Sequence, residues 1–282
     1  MKYEGIRLTR ANYKSVLEGY DEEILDIVEL CLKDGTDIGN YIARCQDDSY
    51  RLWEIRRCVK EGMPRQIYDK IRYPKVIQAI RKYRRAGYSM NELLKQLSPN
   101  SSEQAMMVTI QLVQDGFSLK GYDLSHVADS CLSVLSDAIR HDIDLKDYIN
   151  KVGVTNKEVL VCIETFVKDG KDITCFAKPN WSAELLKVVL NSPLYDNSEL
   201  FQSVLRNIDP TDMNPYYLEQ ALLLCSHGVA PKSVFSKKLT ELIVKNEAIR
   251  SGVAIRAVEG MTEDETRMEM KKRQRNVRRK EL

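Results

Sequence analysis

The chain has 282 residues, 43% apolar and 30% charged, with a formal net charge of +2. Five Phe, eight Pro and 13 Gly argue against a β-sandwich or a disordered chain. No apolar run approaches the roughly 20 residues that span a bilayer, and Met1 to Arg10 lacks an apolar segment, which predicts that no secretory signal is present. Seven Cys, an odd number with no C-x-x-C pair, predict reduced thiols in a cytoplasm.

Residues 1–20 read as an N-terminal capping segment. From residue 21 to 250 a turn recurs in which glycine is followed two residues later by Asp or Ser and six later by an aromatic residue. It stands as Gly35-Thr-Asp37-Ile38-Gly-Asn-Tyr41 and again as Gly170-Lys-Asp172-Ile173-Thr-Cys-Phe176. Looser copies begin at Gly62, Gly87, Gly116, Asp142 and Gly228. The first six anchors are 27, 25, 29, 26 and 28 residues apart, and the last gap of 58 predicts a degenerate unit within 190–212, near Tyr195 to Phe201. A fixed period of this size marks a helical repeat.

The physics of the turn is legible. Glycine just past a helix adopts the left-handed conformation without a Cβ clash. Asp37, Ser89, Ser118, Asp144 and Asp172 then stand where they can cap a following short helix. Asp142 is the poor fit, because it occupies a glycine position. Before each anchor lies an apolar stripe. Four residues upstream are Cys31, Cys58, Tyr83, Leu112, Ala138, Phe166 and Leu224. Seven upstream are Val28, Ile55, Ile80, Thr109, Leu135, Ile163 and Ala221, and eleven upstream Ile24, Arg51, Val76, Ala105, Cys131, Val159 and Tyr217. These positions share one helical face.

The predicted fold is therefore all-α: tandem helix-turn-helix units of about 25–29 residues, seven to eight in number, stacked as an α-solenoid. The eight prolines, Pro179 among them, fall at joints or helix starts. Residues 251–282 read as a basic C-terminal tail, a frayed helix or disordered arm.

The segment Phe166-Val-Lys-Asp-Gly170-Lys-Asp172-Ile-Thr-Cys-Phe176-Ala177-Lys-Pro179 resembles the G-L-D-V/I-S-x-Y-A-x-P repeat of a group of helical-repeat proteins from Firmicutes and their mobile elements. Gly35 to Tyr41 and Asp142 to Tyr148 match it more loosely, and the units at 62, 87 and 228 depart from its core. The resemblance covers residues 20–180. It implies a helical fold, no assigned reaction and a phage or mobile-element accessory origin.

The search for chemistry yields no catalytic candidate, no metal ligands and no cofactor motif. His126, His141 and His227 are far apart in sequence, and His141 and His227 stand at helix ends, where an imidazole complements the helix dipole. Cys31 and Cys58 read as small apolar packing residues rather than a redox pair. Tyr41, Tyr68, Tyr122 and Tyr148 read as packing between units.

Charge is the exception. Residues 51–85 carry a net +9 and 267–282 a net +6, leaving −13 for the remainder. Arg56, Arg57 and Lys60 in the second unit, and Arg81, Lys82 and Arg85 in the third, take equivalent positions off the apolar face and predict a ladder of six cations. Lys271, Lys272, Arg273 and Arg275 are the candidate contacts in the tail. The reading is a non-enzymatic binding or scaffolding module for a macromolecular partner, with a protein favoured over nucleic acid and neither a membrane nor a small-molecule substrate implied. Nucleic-acid binding by the same ladder and tail is the alternative.

Overall fold

The computed structural model describes residues 1–280 other than Pro179 and Asp212, with the side chains of Ser198 and residues 275–280 also excluded. The expectations for Pro179 and for the Arg275 side chain thus lie outside the described residues. The chain is mostly helical, and its one sheet among the described residues is a two-stranded hairpin. It separates into two compact units, Met1–Leu132 and Ser133–Leu282.

The first unit opens with β1 (Lys2–Tyr3) and β2 (Ile6–Arg7), paired antiparallel across Glu4 and Gly5, both at positive φ. There follow α1 (Tyr13–Val16), α2 (Glu22–Asp34), α3 (Gly39–Ile42), α4 (Ser49–Lys60), α5 (Arg65–Lys70), α6 (Pro74–Arg85), α7 (Met90–Gln96) and α8 (Glu103–Gln114). Short 3-10 turns at Ala43–Cys45, Leu124–His126 and Asp129–Cys131 complete it. The long helices pack in chain order, α2 on α4, α4 on α6 and α6 on α8.

The second unit begins one residue into α9 (Leu132–Arg140). It continues through α10 (Lys146–Val152), α11 (Lys157–Lys168), a 3-10 turn at Thr174–Phe176, α12 (Ala183–Leu190), α13 (Ser198–Leu205) and α14 (Pro215–Ser226). The last elements are α15 (Pro231–Val234), α16 (Leu239–Arg250), α17 (Ile255–Gly260) and α18 (Glu263–Lys280). Here α11 packs on α12, α12 on α14, α14 on α16 and α16 on α18.

The upstream columns explain why neighbouring helices pack. Every residue four and seven positions before an anchor is buried, and of those eleven before only Arg51 and Tyr217 are half-exposed. Removing roughly three apolar side chains per helix from water stabilises each packed helix by several kcal/mol, whereas an isolated helix of twelve residues is marginal. Helix ends are closed by one recurring backbone bond. The amide after the anchor donates to the carbonyl of the column residue four before it: Met63 to Cys58 and Lys171 to Phe166 at 2.9 Å, Ile143 to Ala138 at 2.9 Å, Val229 to Leu224 at 3.3 Å. This six-to-one bond requires a left-handed residue between its ends. Gly170 supplies φ 69°, and Asp142 is held at φ 58° in the same role.

The predicted caps act one step later. Asp37, Asp144 and Asp172 accept from the amides of Gly39, Lys146 and Thr174 at 2.9–3.1 Å, Ser118 from Lys120 at 3.3 Å and Ser89 from Glu92 at 3.4 Å. In the degenerate stretch, α12 ends at Asn191 with φ −89° and no left-handed turn, and α13 follows. Phe166 stacks on Phe176 with centroids 4.5 Å apart and also meets Tyr195 and Phe201, so aromatic packing carries this stretch.

Residues 251–280 differ from the expected tail. Gly252, at φ 84°, makes another such turn, with Val253 donating to Ala248 at 3.0 Å. Val253 and Val258 join Ala248 in a small core, and Thr266 of α18 is fully buried. The apolar residues here are few but correctly spaced to dock α17 and α18. The N-terminal 20 residues also do more than cover an end, since Leu8, Tyr13 and Leu17 enter the core of the first unit.

Two substitutions test these local constraints. A Cβ at Gly39 would lie 1.7 Å from the Lys2 carbonyl oxygen, so Gly39→Ala must lever the hairpin off α3. It should lower the unfolding free energy by about 1–3 kcal/mol in denaturant titration, whereas Gly260→Ala, with open space around it, should not. Asp142→Gly should raise stability by roughly 1 kcal/mol, since only the aspartate carries the cost of left-handed backbone. A neutral or destabilising result there would mean that Asp142 contributes more through its side chain than it costs.

Candidate nucleic-acid or acidic-partner interface

Residues of α4 and α6, at and near their C-terminal ends, line an open groove of about 590 Å³ formed by Arg56, Arg57, Lys60, Glu61, Gln78, Arg81, Lys82 and Arg85. All six predicted ladder cations are thus brought together. The equivalent positions on two packed helices place them so, because residues three and four apart share a helical face.

The six do not form a uniform exposed ladder, and this corrects the expectation. Arg56 and Arg81 are buried, at 8% and 5% exposure. Burying a guanidinium demands partners. Arg81 donates through Nη1 to Glu54 at 2.6 Å and through Nε and Nη2 to Glu61, 3.1 Å from Nε. Glu54 is itself fully buried and also accepts from Arg57 at 2.8 Å. Arg56 pairs with Asp34 at the end of α2, which also accepts from Lys60 at 2.9 Å. Arg85 reaches Glu61 from the exposed side. Lys82 is exposed and has no carboxylate partner among the described ion pairs.

The groove therefore has an inner row, Arg56 and Arg81, and an outer row, Arg57, Lys60, Lys82 and Arg85. Trp53 supports the inner edge, with the Arg56 and Arg57 guanidinia 5.1 and 4.9 Å from its ring centroid. Arg84 points elsewhere: it donates to the carbonyls of Glu61 and Gly62 at 3.1 and 3.0 Å, closing the C-terminal end of α4. Arg51, the one cation in the upstream columns, is half-buried near the start of α4.

Electrostatics reinforce the pairing. Burial raises the Glu61 carboxyl, but hydrogen bonds from Arg81 and Arg85 outweigh it and leave its pKa below the ordinary value. Burial likewise opposes the Arg81 charge, and its bonds to Glu61 and Glu54 overcome this and raise its pKa. The Thr36 hydroxyl, bonded to Asp34, is the largest cause of that carboxyl's lowered pKa; burial opposes it, and Lys60 and Arg56 add to it. In the sequence Glu54 and Glu61 enter only as counter-charges in the net +9 of residues 51–85, and Asp34 is not singled out. Glu54 and Arg57 at i, i+3, and Asp34 and Glu61 next to the glycine anchors, were the signals available.

The C-terminal candidates belong to the other unit. Lys271 and Lys272 are exposed on α18, Lys272 lies 3.9 Å from Glu269, and Arg273 is bound to Glu269 and to the Gly252 carbonyl. Arg273 is therefore tied to the α16–α17 turn rather than free to meet a partner.

Nothing among the described residues gathers three or more metal-ligating side chains. The seven Cys are free and buried, and burial pushes the thiols of Cys31 up to about 11 and of Cys58 up to about 12. That suits the packing role and leaves little thiolate. His227 caps α14, and His141 Nδ1 lies 2.7 Å from the Asp137 carbonyl just after α9. Among the described residues, no helix is long and apolar enough to cross a membrane. Comparison with protein-family models, curated proteins and solved structures finds no match.

The two rows make opposite predictions. Glu54→Ala leaves Arg81 and Arg57 without a buried counter-charge and should cost about 3–5 kcal/mol in denaturant unfolding. Lys82→Ala should leave the unfolding midpoint where it is, because an exposed unpaired lysine contributes little. Equal losses for the two would contradict the division into inner and outer rows.

Proposed function

We propose that the chain is a non-enzymatic binding module whose helix pairs stack as an α-solenoid and whose α4–α6 groove docks an acidic protein surface. The observation that carries this is the charge balance of the groove. Six cations meet three carboxylates, Asp34, Glu54 and Glu61, which leaves three positive charges in one concavity. Surplus charge focused in a cleft attracts and orients an oppositely charged partner.

The lining favours a charged segment over an amphipathic helix, since all eight residues are charged or amide-bearing and offer no apolar anchor point. Nucleic acid is the second reading, supported by the exposed Lys271 and Lys272 in addition to the groove. Against it stands the lack of an aromatic side chain among the groove residues on which a base would stack.

Fluorescence anisotropy with a labelled poly-glutamate peptide and with single-stranded and duplex oligonucleotides tests the assignment between about 50 and about 200 mM salt. The peptide should bind, and Lys82→Glu with Arg85→Glu should weaken it at least about tenfold while leaving the far-ultraviolet spectrum unchanged. Tighter binding of an oligonucleotide, with a steep salt slope abolished by the same pair, would transfer the groove to nucleic acid. Failure of all probes to bind would remove both readings.

A further inference from the structure

The carboxylates already in the groove restrict what else can bind there. Glu61 engages Arg81 and Arg85 from within the same unit, so it loses no translational freedom in doing so. A carboxylate arriving on a partner brings the same single charge and does lose that freedom, so it competes poorly. A stronger ligand must concentrate more charge and more acceptors on one group. A phosphate monoester does so, with about −1.5 to −2 charge and three acceptor oxygens.

The donors match that demand. Arg57 is tied to Glu54 through Nη1, and Arg85 to Glu61 through Nη2, so each forked guanidinium has further N–H groups to offer. Lys60 and Lys82 supply exposed ammonium groups from the two helices, one on each side. A second observation points the same way. Arg56 is more than nine-tenths buried and lines the groove, shares its only carboxylate with Lys60, and leaves Nε without a hydrogen-bond partner. Its charge, held by Asp34 and the Trp53 ring, adds to the positive potential beneath the outer row.

We propose that the α4–α6 groove is a phosphate-monoester site that receives a phosphorylated segment of the docked protein. Arg57 and Arg85 grip the phosphate oxygens, Lys60 and Lys82 balance the charge, and Glu61 is the resident competitor that the phosphate displaces from Arg85. The inference rests on the docking reading above and narrows it from acidic to phosphorylated partners. Nucleic acid fits less well, because each phosphodiester carries a single charge and the one aromatic ring at the groove's edge, Trp53, is already covered by the Arg56 and Arg57 guanidinia.

The test is a set of titrations of the full chain at constant ionic strength, followed through the arginine Nε–Hε resonances of ¹⁵N-labelled protein. The probes are a short peptide centred on phosphoserine, the same peptide with glutamate in its place, inorganic phosphate, and an oligonucleotide of matched charge. The phosphopeptide should shift the Arg57 and Arg85 signals and bind about tenfold or more tightly than the glutamate peptide. Lys82→Ala with Arg85→Ala should weaken it about tenfold without lowering the thermal midpoint. Glu61→Gln should strengthen it several-fold, and the alanine pair keeps the proposal testable should that variant fold poorly. Equal affinity for the two peptides would overturn the phosphate inference and leave acidic docking standing. Inorganic phosphate binding as tightly as the phosphopeptide would overturn the assignment to a docked segment, and tighter oligonucleotide binding would overturn it in favour of nucleic acid. If none of the probes binds, the docking reading falls with it.

Discussion

A twelve-residue helix with one apolar face gains too little from its own hydrogen bonds to persist in water, and the rest of this chain follows from how that deficit is met. The buried columns four, seven and eleven residues before each anchor oblige α2, α4, α6 and α8 to lie against one another in order, and the second unit meets the same need with α11, α12, α14, α16 and α18. Reversal of direction between them requires a sharp stop, which the six-to-one bond provides at Cys58, Ala138, Phe166 and Leu224 alike. The residues that close each helix are the ones that bury it. Packing and chain reversal are therefore fixed by the same few side chains, and whatever occupies the off-face positions is carried into register with its neighbours.

That coupling explains what could be seen in the sequence. Columns of apolar residues and glycine turns are periodic, so they stood out even where one member, such as Thr109 or Asp142, was atypical. Asp142 looked like a misfit because its type is wrong for the position, and the backbone shows that the position outweighed the type. Gly252 escapes the pattern for the opposite reason. It has Ala254 where a cap was sought and Val258 where an aromatic was sought, yet it makes the same turn. The pattern used as a template was richer than the physics requires, since only the left-handed residue and the docking side chain are needed. Hence residues 251–280 read as a tail, although Val253, Val258 and Thr266 are buried.

The candidate site was legible in half. Equivalence of Arg56, Arg57 and Lys60 with Arg81, Lys82 and Arg85 followed from the period, and the groove gathers all six. Their division into two rows does not follow, because it depends on which carboxylate each cation meets: Asp34 and Glu61 share the position before the glycine anchor, whereas Glu54 stands elsewhere in the unit. Asp34 ends one helix, Glu54 lies mid-helix and Glu61 follows the last residue of α4. Only the distance across packed helices reveals that Asp34 meets Arg56 or that Glu54 meets Arg81.

The inner network is a costly way to build a helix interface. Two apolar residues in place of Glu54 and Arg81 would bury as much surface without desolvating charge, and such replacements are often neutral or stabilising. What the network provides that an apolar pair cannot is position. Glu54, fully buried, holds Arg57 on its own helix as well as Arg81 across on α6, so the acid that joins the two helices also fixes an outer guanidinium. Holding a long side chain in place beforehand removes much of the entropy a ligand would otherwise have to overcome. The three carboxylates thus limit the groove's charge while ordering what remains of it. Lys82, which none of them reaches, is the cation left to act on solution unscreened by the protein's own acids.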